Sequence, residues 1–155
     1  MPLLTNAVRV AVGSDHSCAA TDDGGVLCWG LHEDGEVDGR VGSAPEFVTP
    51  QRVAGVAGAT HVGVGPGFSC ARTRDGSVWC WGRNDRYQHG RGIADDDAAP
   101  HRTSLEGAVS LVVRSRTDAM SALVEGGEVR CWGRTQEGLG VETNVFRTPE
   151  RVLLE

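Results

Sequence analysis

The chain has 155 residues, of which 39% are hydrophobic and 23% charged, and its formal net charge is −6 at pH 7. These values exclude a disordered chain, and no apolar run approaches the roughly 18 to 20 residues that a membrane-spanning helix needs. All fifteen cationic residues are arginines scattered among acidic residues, so we expect neither a nucleic-acid partner nor membrane insertion.

The composition also favours turn-rich β structure, because the chain has 22 glycines but only four Trp, three Phe and one Tyr. The first predicted strand is Val8-Arg9-Val10-Ala11-Val12, in which valine alternates with other residues. A short apolar segment, an Asp/Gly turn and a second strand ending at Trp29-Gly30 follow it. This order predicts a β-hairpin next to the first strand.

The same elements recur twice further along the chain. The Trp-Gly pair begins at positions 29, 81 and 132, so its spacing is 52 and then 51 residues. Ungapped alignment on this pair matches residues 13–30, 65–82 and 116–133. Such recurrence indicates a repeat protein. We therefore expect a single domain, residues 1–155, built from three repeats at approximately 4–55, 56–107 and 108–155.

The recurring pattern V-x-V-G-x-x-H-S-C-A-x-x-x-D-G-x-V-x-C-W-G resembles the regulator of chromosome condensation repeat, in its cysteine-bearing bacterial variety. The resemblance implies an all-β fold of three four-stranded β-propeller blades. It also implies a loop like N-x-x-G-Q-L-G after each Trp-Gly pair, and every copy departs from that motif. The departing segments are His32–Gly39, Asn84–Gly90 and Gly138–Gly140.

The number of repeats bears on assembly. Closed propellers use about four to eight blades, so three blades leave two exposed blade faces. The chain starts and stops at nearly the same phase of the repeat. We expect either self-association into a closed ring, with a head-to-tail dimer the simplest case, or a place in a longer propeller. Self-association is the favoured alternative.

The cysteines recur with the repeat. Cys18 and Cys28 face each other in a hairpin centred on Asp23, and Cys70 and Cys80 do so in the next copy. Cross-strand approach of this kind allows a disulfide, so we predict both bridges; the alternative is two pairs of reduced, buried thiols. The third copy has serine at the partner position, so Cys131 is expected either to be an unpaired thiol or to form a disulfide with another subunit.

The cellular compartment stays open between two expectations. Oxidised cysteine pairs would indicate an extracytoplasmic protein. The first residues lack the cationic start and apolar stretch of a signal peptide, which would indicate the cytoplasm for a complete chain.

The tryptophans divide into two groups. Trp29, Trp81 and Trp132 recur, so we expect them to pack between blades while the following glycine lets the chain turn. Trp79 lies outside the repeated position and is a candidate for a partner contact specific to its copy. The loops before the first cysteine of each copy are expected on one rim of the propeller. Their candidate protein-binding residues are Asp15, His16, Gly67, Phe68 and Asp118.

No catalytic signature recurs in the sequence, so we expect neither an enzyme nor a cofactor. A zinc site at His16-x-Cys18 lacks a second ligand pair, and the Asp95-Asp96-Asp97 run lacks the spaced ligands of a calcium loop. We expect no metal. The sequence therefore predicts a protein-binding module, with a purely architectural ring as the alternative. The family resemblance also implies partners such as small GTPases, through nucleotide exchange, or β-lactamases, through inhibition.

Overall fold

The computed structural model describes residues 4–42, 44–114, 116–134 and 145–152. Within these ranges the chain forms three four-stranded antiparallel sheets, each a meander in chain order, and the predicted all-β blades are confirmed. The first blade contains β1 Ala7–Val12, β2 His16–Thr21, β3 Val26–Leu31 and β4 Glu46–Arg52. The second contains β5 Ala59–Gly65, β6 Phe68–Thr73, β7 Val78–Gly82 and β8 His101–Arg102. The third contains β9 Ala108–Val113, β10 Asp118–Val124, β11 Val129–Arg134 and β12 Val145–Arg151.

Aspartates close the hairpins of the first two blades. In the first, an Asp23 carboxylate oxygen accepts hydrogen bonds from the Thr21 hydroxyl and from the Gly25 backbone N–H, the latter at 3.0 Å. Asp75 accepts the equivalent bond from the Ser77 N–H at 3.1 Å. A short carboxylate side chain is suited to such turns because it replaces a backbone acceptor. The bonds from Thr21 and Gly25 lower the pKa of Asp23 to about 2.

The blades pack face to face, and the first strand of each blade lies against the preceding blade: β5 contacts β1 and β2, and β9 contacts β5 and β6. The hydrophobic core is consequently split into two clusters, one in each seam between blades. Alternation along the strands explains this, because successive side chains of a strand point to opposite faces of its sheet. Among the described residues, no helix is long and apolar enough to cross a membrane.

The glycine after each recurring tryptophan is required by the backbone. Gly30, Gly82 and Gly133 all have positive φ, which side-chain-bearing residues rarely adopt. A Cβ at Gly30 or Gly82 would lie 2.6 Å from the carbonyl oxygen of Asp15 or Gly67, respectively. The chain therefore turns here and passes close to the hairpin start of its own blade.

Candidate functional site

One end of the blades carries the first turn of each hairpin and the loops that follow the Trp-Gly pairs. We call this end the Trp-Gly rim, and its described parts in the first two blades are residues 13–15, 32–42, 65–67 and 83–100. The Leu31 N–H donates to the Asp15 carbonyl at 2.9 Å, and the Arg83 N–H donates to the Gly67 carbonyl at 2.8 Å. Asp118 begins the matching strand of the third blade. The candidate residues Asp15, Gly67 and Asp118 therefore lie at the same end of their blades.

Two other candidate rim residues point into the interior. His16 is 3% exposed, and its Nε2 lies 2.7 Å from Ser69 Oγ, which itself donates to the Glu36 carbonyl at 3.0 Å. Burial lowers the pKa of His16 to about 4 despite the opposing effect of Asp15, so its ring is neutral at pH 7. Phe68 is fully buried in the seam between the second and third blades. The expectation that these side chains face a partner is corrected, because both are core residues.

Trp79 lies away from the rim. It pairs with Ala71 and Arg102 near the opposite end of the second blade, close to the Asp75 turn. The half-buried ring lines an open groove of about 320 Å³. The other lining residues are Gly55, Ala57, Gly58, Thr73, Arg74 and Asp75. Trp79 therefore does not share a surface with Asp15 or Asp118.

Asp118 is held by arginines of the preceding blade. Arg83 Nη2 donates to one carboxylate oxygen at 2.6 Å, and Arg86 Nη1 lies 3.3 Å from the other. The Asp118 side chain is only 13% exposed, and Arg83 also contacts Asp85 at 3.3 Å. Partly buried pairs with two donors per carboxylate are better ordered than exposed pairs. This network ties the rims of the second and third blades together.

Between the first and second blades the rim opens into a cleft of about 330 Å³. Its lining is Glu33, Asp34, Val41, Gly82, Arg83, Asn84, Asp85, Asp95 and Asp96. Five of these residues are acidic and one is cationic, so the cleft is negatively charged. Burial raises the pKa of Asp34, and the carboxylates of Asp85 and Glu33 raise it further against the effect of Arg83. This cleft could not be predicted from the sequence, because its residues come from two different repeats.

The loops after Trp29 and Trp81 share one geometry although their sequences differ. Glu36 Oε2 accepts from the Asp34 N–H at 2.8 Å, and in the second copy Gln88 Oε1 accepts from the Arg86 N–H at 2.8 Å. Thus the Glu36 carboxylate and the Gln88 amide accept equivalent hydrogen bonds in the two copies. The loop of the third copy, including Gly138–Gly140, lies outside the described residues.

A second bond in each loop is also equivalent. The Val37 N–H donates to His32 Nδ1 at 3.3 Å, and the His89 N–H donates to Asn84 Oδ1 at 2.9 Å. Imidazole therefore replaces the amide oxygen of asparagine. Tyr87 has a φ of 63°, a backbone conformation that usually requires glycine.

The recurring tryptophans bind these loops across the seams. Trp81 Nε1 donates to the Glu36 carbonyl at 2.9 Å, and Trp132 Nε1 donates to the Gln88 carbonyl at 2.9 Å. Both indoles are fully buried between blades. Trp29, in the first described blade, is only half-buried.

Two disulfides lie in the hydrophobic core, one in each seam between blades. Cys18 is bonded to Cys28 and Cys70 to Cys80, each pair directly across neighbouring strands with Cα atoms 4.1 Å apart. All four residues are fully buried. Cys131 is a free, buried thiol in the third blade.

Cys18, Asp95 and Asp97, which were considered as metal ligands, have other partners. Cys18 is part of a disulfide, and Asp95 accepts hydrogen bonds from Asn84 and Arg91 at 2.8 and 2.7 Å. Asp97 contacts His101 Nε2 at 3.0 Å. Across the described ranges, no three His, Cys, Asp or Glu side chains are arranged to hold a metal ion.

Comparison with protein families finds a match to the regulator of chromosome condensation (RCC1) repeat over residues 7–37 and 59–88. These two segments are the hairpin-bearing parts of the first and second blades together with their following loops. The chain is 31% identical over 90% of its length to mouse E3 ubiquitin-protein ligase HERC2, of which it spans 3%. It is 28% identical over 96% of its length to the mouse secretion-regulating guanine nucleotide exchange factor, of which it spans 37%.

Among solved structures, yeast RCC1 (Prp20) bound to Kap60 superposes with a TM-score of 0.76 at 19% identity. The match covers 97% of this chain and 38% of that one. At 19% identity this likeness shows the fold alone, which is that of a β-propeller. The chain therefore corresponds to well under half of each of these proteins.

Proposed function

This chain carries regulator of chromosome condensation repeats, and we propose that it is a non-enzymatic, protein-binding propeller module that associates head to tail with a second copy. The proposal rests on the two blade faces at the ends of the described fold. We call the outward face of the first blade the leading face, and it contains Val10, Val12, Ser17 and Trp29. The outward face of the third blade is the trailing face, and it contains Ser121, Leu123, Val129 and Cys131.

The leading face exposes apolar side chains that are buried elsewhere. Val12 is 70% exposed, whereas Val64, at the same position of the second blade, is 3% exposed. Val10 is 62% exposed. Monomeric proteins rarely leave such contiguous apolar surface in water, and the exposure of Val12 is the observation that carries the proposal.

The trailing face shows the same contrast. Val129 is 40% exposed, while the equivalent Val26 and Val78 are fully buried. Leu123 is also 40% exposed, at the position of the fully buried Ala20. Each seam inside the chain joins the trailing face of one blade to the leading face of the next. The two exposed faces are therefore the two halves of one further seam.

Head-to-tail contact between copies joins unlike faces and can close into a ring. Two chains of three sheets each supply six blades, which lies within the range of about four to eight blades in closed propellers. Burial of the valines on both faces provides the driving force. The dimer is thus the smallest assembly that removes both exposed faces.

The Trp-Gly rim stays accessible in such a ring and is the proposed surface for another protein. Its acidic cleft, lined by Asp34 and Asp85 among others, fits a cationic segment of the partner. Protein binding is also supported by the yeast structure, which is described as bound to Kap60. Nucleotide exchange, named for one relative, is the alternative activity of this rim.

Self-association is tested by light scattering coupled to size-exclusion chromatography. We expect twice the chain mass of 16.4 kDa for the wild type and a shift to monomer for Val12→Asp. The control is Ile93→Asp, because Ile93 is 51% exposed and lies in the rim loop of the second blade, outside the strands that form the two faces. A wild type that stays monomeric at every concentration, or an unaffected Val12→Asp variant, would contradict the proposal.

Rim binding needs a separate test. Affinity capture from the native source is compared between the wild type and a variant carrying Asp34→Arg and Asp85→Arg. We expect a cationic partner to be recovered with the wild type and lost with the variant, while the solution mass is unchanged. Recovery of only the protein itself with both chains would instead favour the purely architectural ring.

A further inference from the structure

Tyr87 is the one non-glycine residue with a positive φ in the part of the chain that the structure describes. It lies in the rim loop of the second blade, at the position that Gly35 occupies in the first blade with a φ of 82°. Glycine adopts this left-handed conformation freely, whereas a residue with a Cβ does so at a cost. The loop therefore has a tyrosine at a position where the backbone favours glycine.

Hydrogen bonds on both sides hold Tyr87 in this conformation. Its N–H donates to the Asn84 carbonyl at 3.3 Å, and its carbonyl accepts from the Gly90 N–H at 3.0 Å. The next residue, Gln88, is fixed by the hydrogen bond from Trp132 to its carbonyl at 2.9 Å. A side chain on a backbone fixed in this way loses little conformational freedom when a partner binds it, which favours affinity.

An arginine of the third blade lies over the Tyr87 ring. The Arg147 guanidinium carbon is 5.2 Å from the ring centre, and the Gly92 N–H donates to the Arg147 carbonyl at 2.9 Å, which joins β12 to this loop. An exposed cation–π contact contributes less than the left-handed backbone costs. The contact with Arg147 alone therefore does not account for the tyrosine.

The positive charge of Arg147 has no compensating carboxylate. Two arginines of the neighbouring loop, Arg83 and Arg86, both pair with Asp118 and with Asp85. Arg147 is exposed and, within the described ranges, forms no ion pair. This edge of the rim therefore carries an unpaired positive charge, in contrast to the acidic cleft on the other side of the second blade.

We propose that Tyr87 and Arg147 form a contact site for one carboxylate side chain of the protein that binds the rim. The guanidinium supplies a charge-assisted hydrogen bond to the carboxylate. The half-buried phenol ring supplies a rigid surface for the carbon chain that carries this carboxylate. Tyrosine and arginine are also enriched among the residues that contribute most to protein interfaces.

This inference rests on the proposed binding of a protein at the rim and names a second contact of that partner. The occupant follows from charge complementarity, because the acidic cleft fits a cationic segment and Arg147 fits an anionic one. The partner should therefore present an acidic side chain about one blade away from its cationic segment.

The site is tested on the full chain by NMR titration with the peptide acetyl-Gly-Glu-Gly-amide as the probe. We expect the side-chain N–H signal of Arg147 to shift with this peptide, and to shift far less with acetyl-Gly-Gln-Gly-amide. Arg147→Gln should weaken binding of the glutamate peptide at least fivefold. Arg74→Gln is the matched control, because Arg74 is exposed near the opposite end of the second blade and forms no ion pair within the described ranges. An equal response to both peptides, or a response to inorganic phosphate alone, overturns the carboxylate site.

Tyr87→Gly separates binding from stability. Because glycine relieves the left-handed backbone, we expect a urea midpoint at least as high as that of the wild type, together with weaker binding of the glutamate peptide. A clear fall of the midpoint would show that the tyrosine is there for stability and would overturn the proposal.

Affinity capture links the site to the proposed rim function. We expect Tyr87→Gly and Arg147→Gln to lower recovery of the rim partner at least fivefold relative to the wild type and to Arg74→Gln. A partner that is lost with the Asp34→Arg and Asp85→Arg variant but retained with both of these overturns the carboxylate site and leaves rim binding standing. A wild type that captures no partner overturns both.

Discussion

Ser121 Oγ lies 2.9 Å from Cys131 Sγ, at the position where the first two blades carry a disulfide. Ser121 and Cys131 are direct cross-strand partners in β10 and β11, in the register of Cys18 and Cys28. The third blade therefore has the geometry of the bridged blades with one sulfur replaced by oxygen. Because the third hairpin has no bridge, its residues are less constrained in the unfolded chain than those of the first two hairpins.

The substitution S121C is expected to form a third disulfide. Closing a ten-residue loop stabilises the folded chain by about 2.5 kcal/mol in the chain-entropy model. Thermal unfolding with and without reductant measures the gain, and Ser121→Ala is the control that removes the hydroxyl without adding a bridge. Detection of two reactive thiols in the oxidised variant would show that the bridge does not form.

Trp132→Phe should destabilise the chain strongly. The substitution removes the indole N–H that donates to the Gln88 carbonyl and leaves a gap in a fully buried site. A buried acceptor without a partner and a small cavity together cost about 2–4 kcal/mol. Trp79→Phe is the matched control, because Trp79 is half-buried. Urea denaturation should separate the two variants clearly; equal midpoints would contradict the seam role of Trp132.

Gly82→Ala should be far more costly than Gly55→Ala. Both glycines have positive φ, at 86° and 85°. An added Cβ at Gly82 would lie 2.6 Å from the Gly67 carbonyl oxygen, whereas at Gly55 nothing lies within 4 Å. We expect about 1 kcal/mol for the backbone conformation alone and about 3 kcal/mol or more when the close approach is added. Similar losses would indicate that the close approach is relieved by a small shift of the turn.

The free energy of unfolding should fall as the pH drops from about 6.5 to 4. Burial lowers the folded-state pKa of His16 and of His89 to about 4, so in this window the unfolded chain binds protons that the folded chain excludes. Each histidine then contributes a loss of about 1.4 kcal/mol per pH unit. The raised pKa of the buried Glu36 carboxyl opposes this trend, because the folded chain then takes up a proton first.

The variant His89→Val isolates one of these contributions. Valine is chosen because Val37 is the fully buried residue at the same position of the first copy. Relative to the wild type, the variant should gain about 2 kcal/mol at pH 5 compared with pH 7. Denaturant titrations at the two pH values provide the measurement. A difference that does not change with pH would mean that His89 is not excluded from protonation.

The repeat pattern predicted the all-β blades because alternation, Asp turns and Trp-Gly pairs are local signals. The rim was harder to predict, since the side-chain direction of His16 and Phe68 depends on which face of the sheet meets the next blade. The acidic cleft could not be predicted for a related reason: Asp34 and Asp85 come close to each other only when the two repeats pack together. The shared loop geometry could not be predicted from the sequence, because the two loops use different residues, glutamate and glutamine, to accept the same backbone hydrogen bond.

The acceptors for Trp81 and Trp132 are main-chain carbonyls, an atom that every amino acid possesses. Substitution within the loops therefore changes the rim without removing the contact that holds the blades in line. A repeat that keeps its tryptophan can therefore form this bond whatever side chains the preceding loop carries. The rim surface can thus differ from one repeat to the next while the bond across the seam is kept.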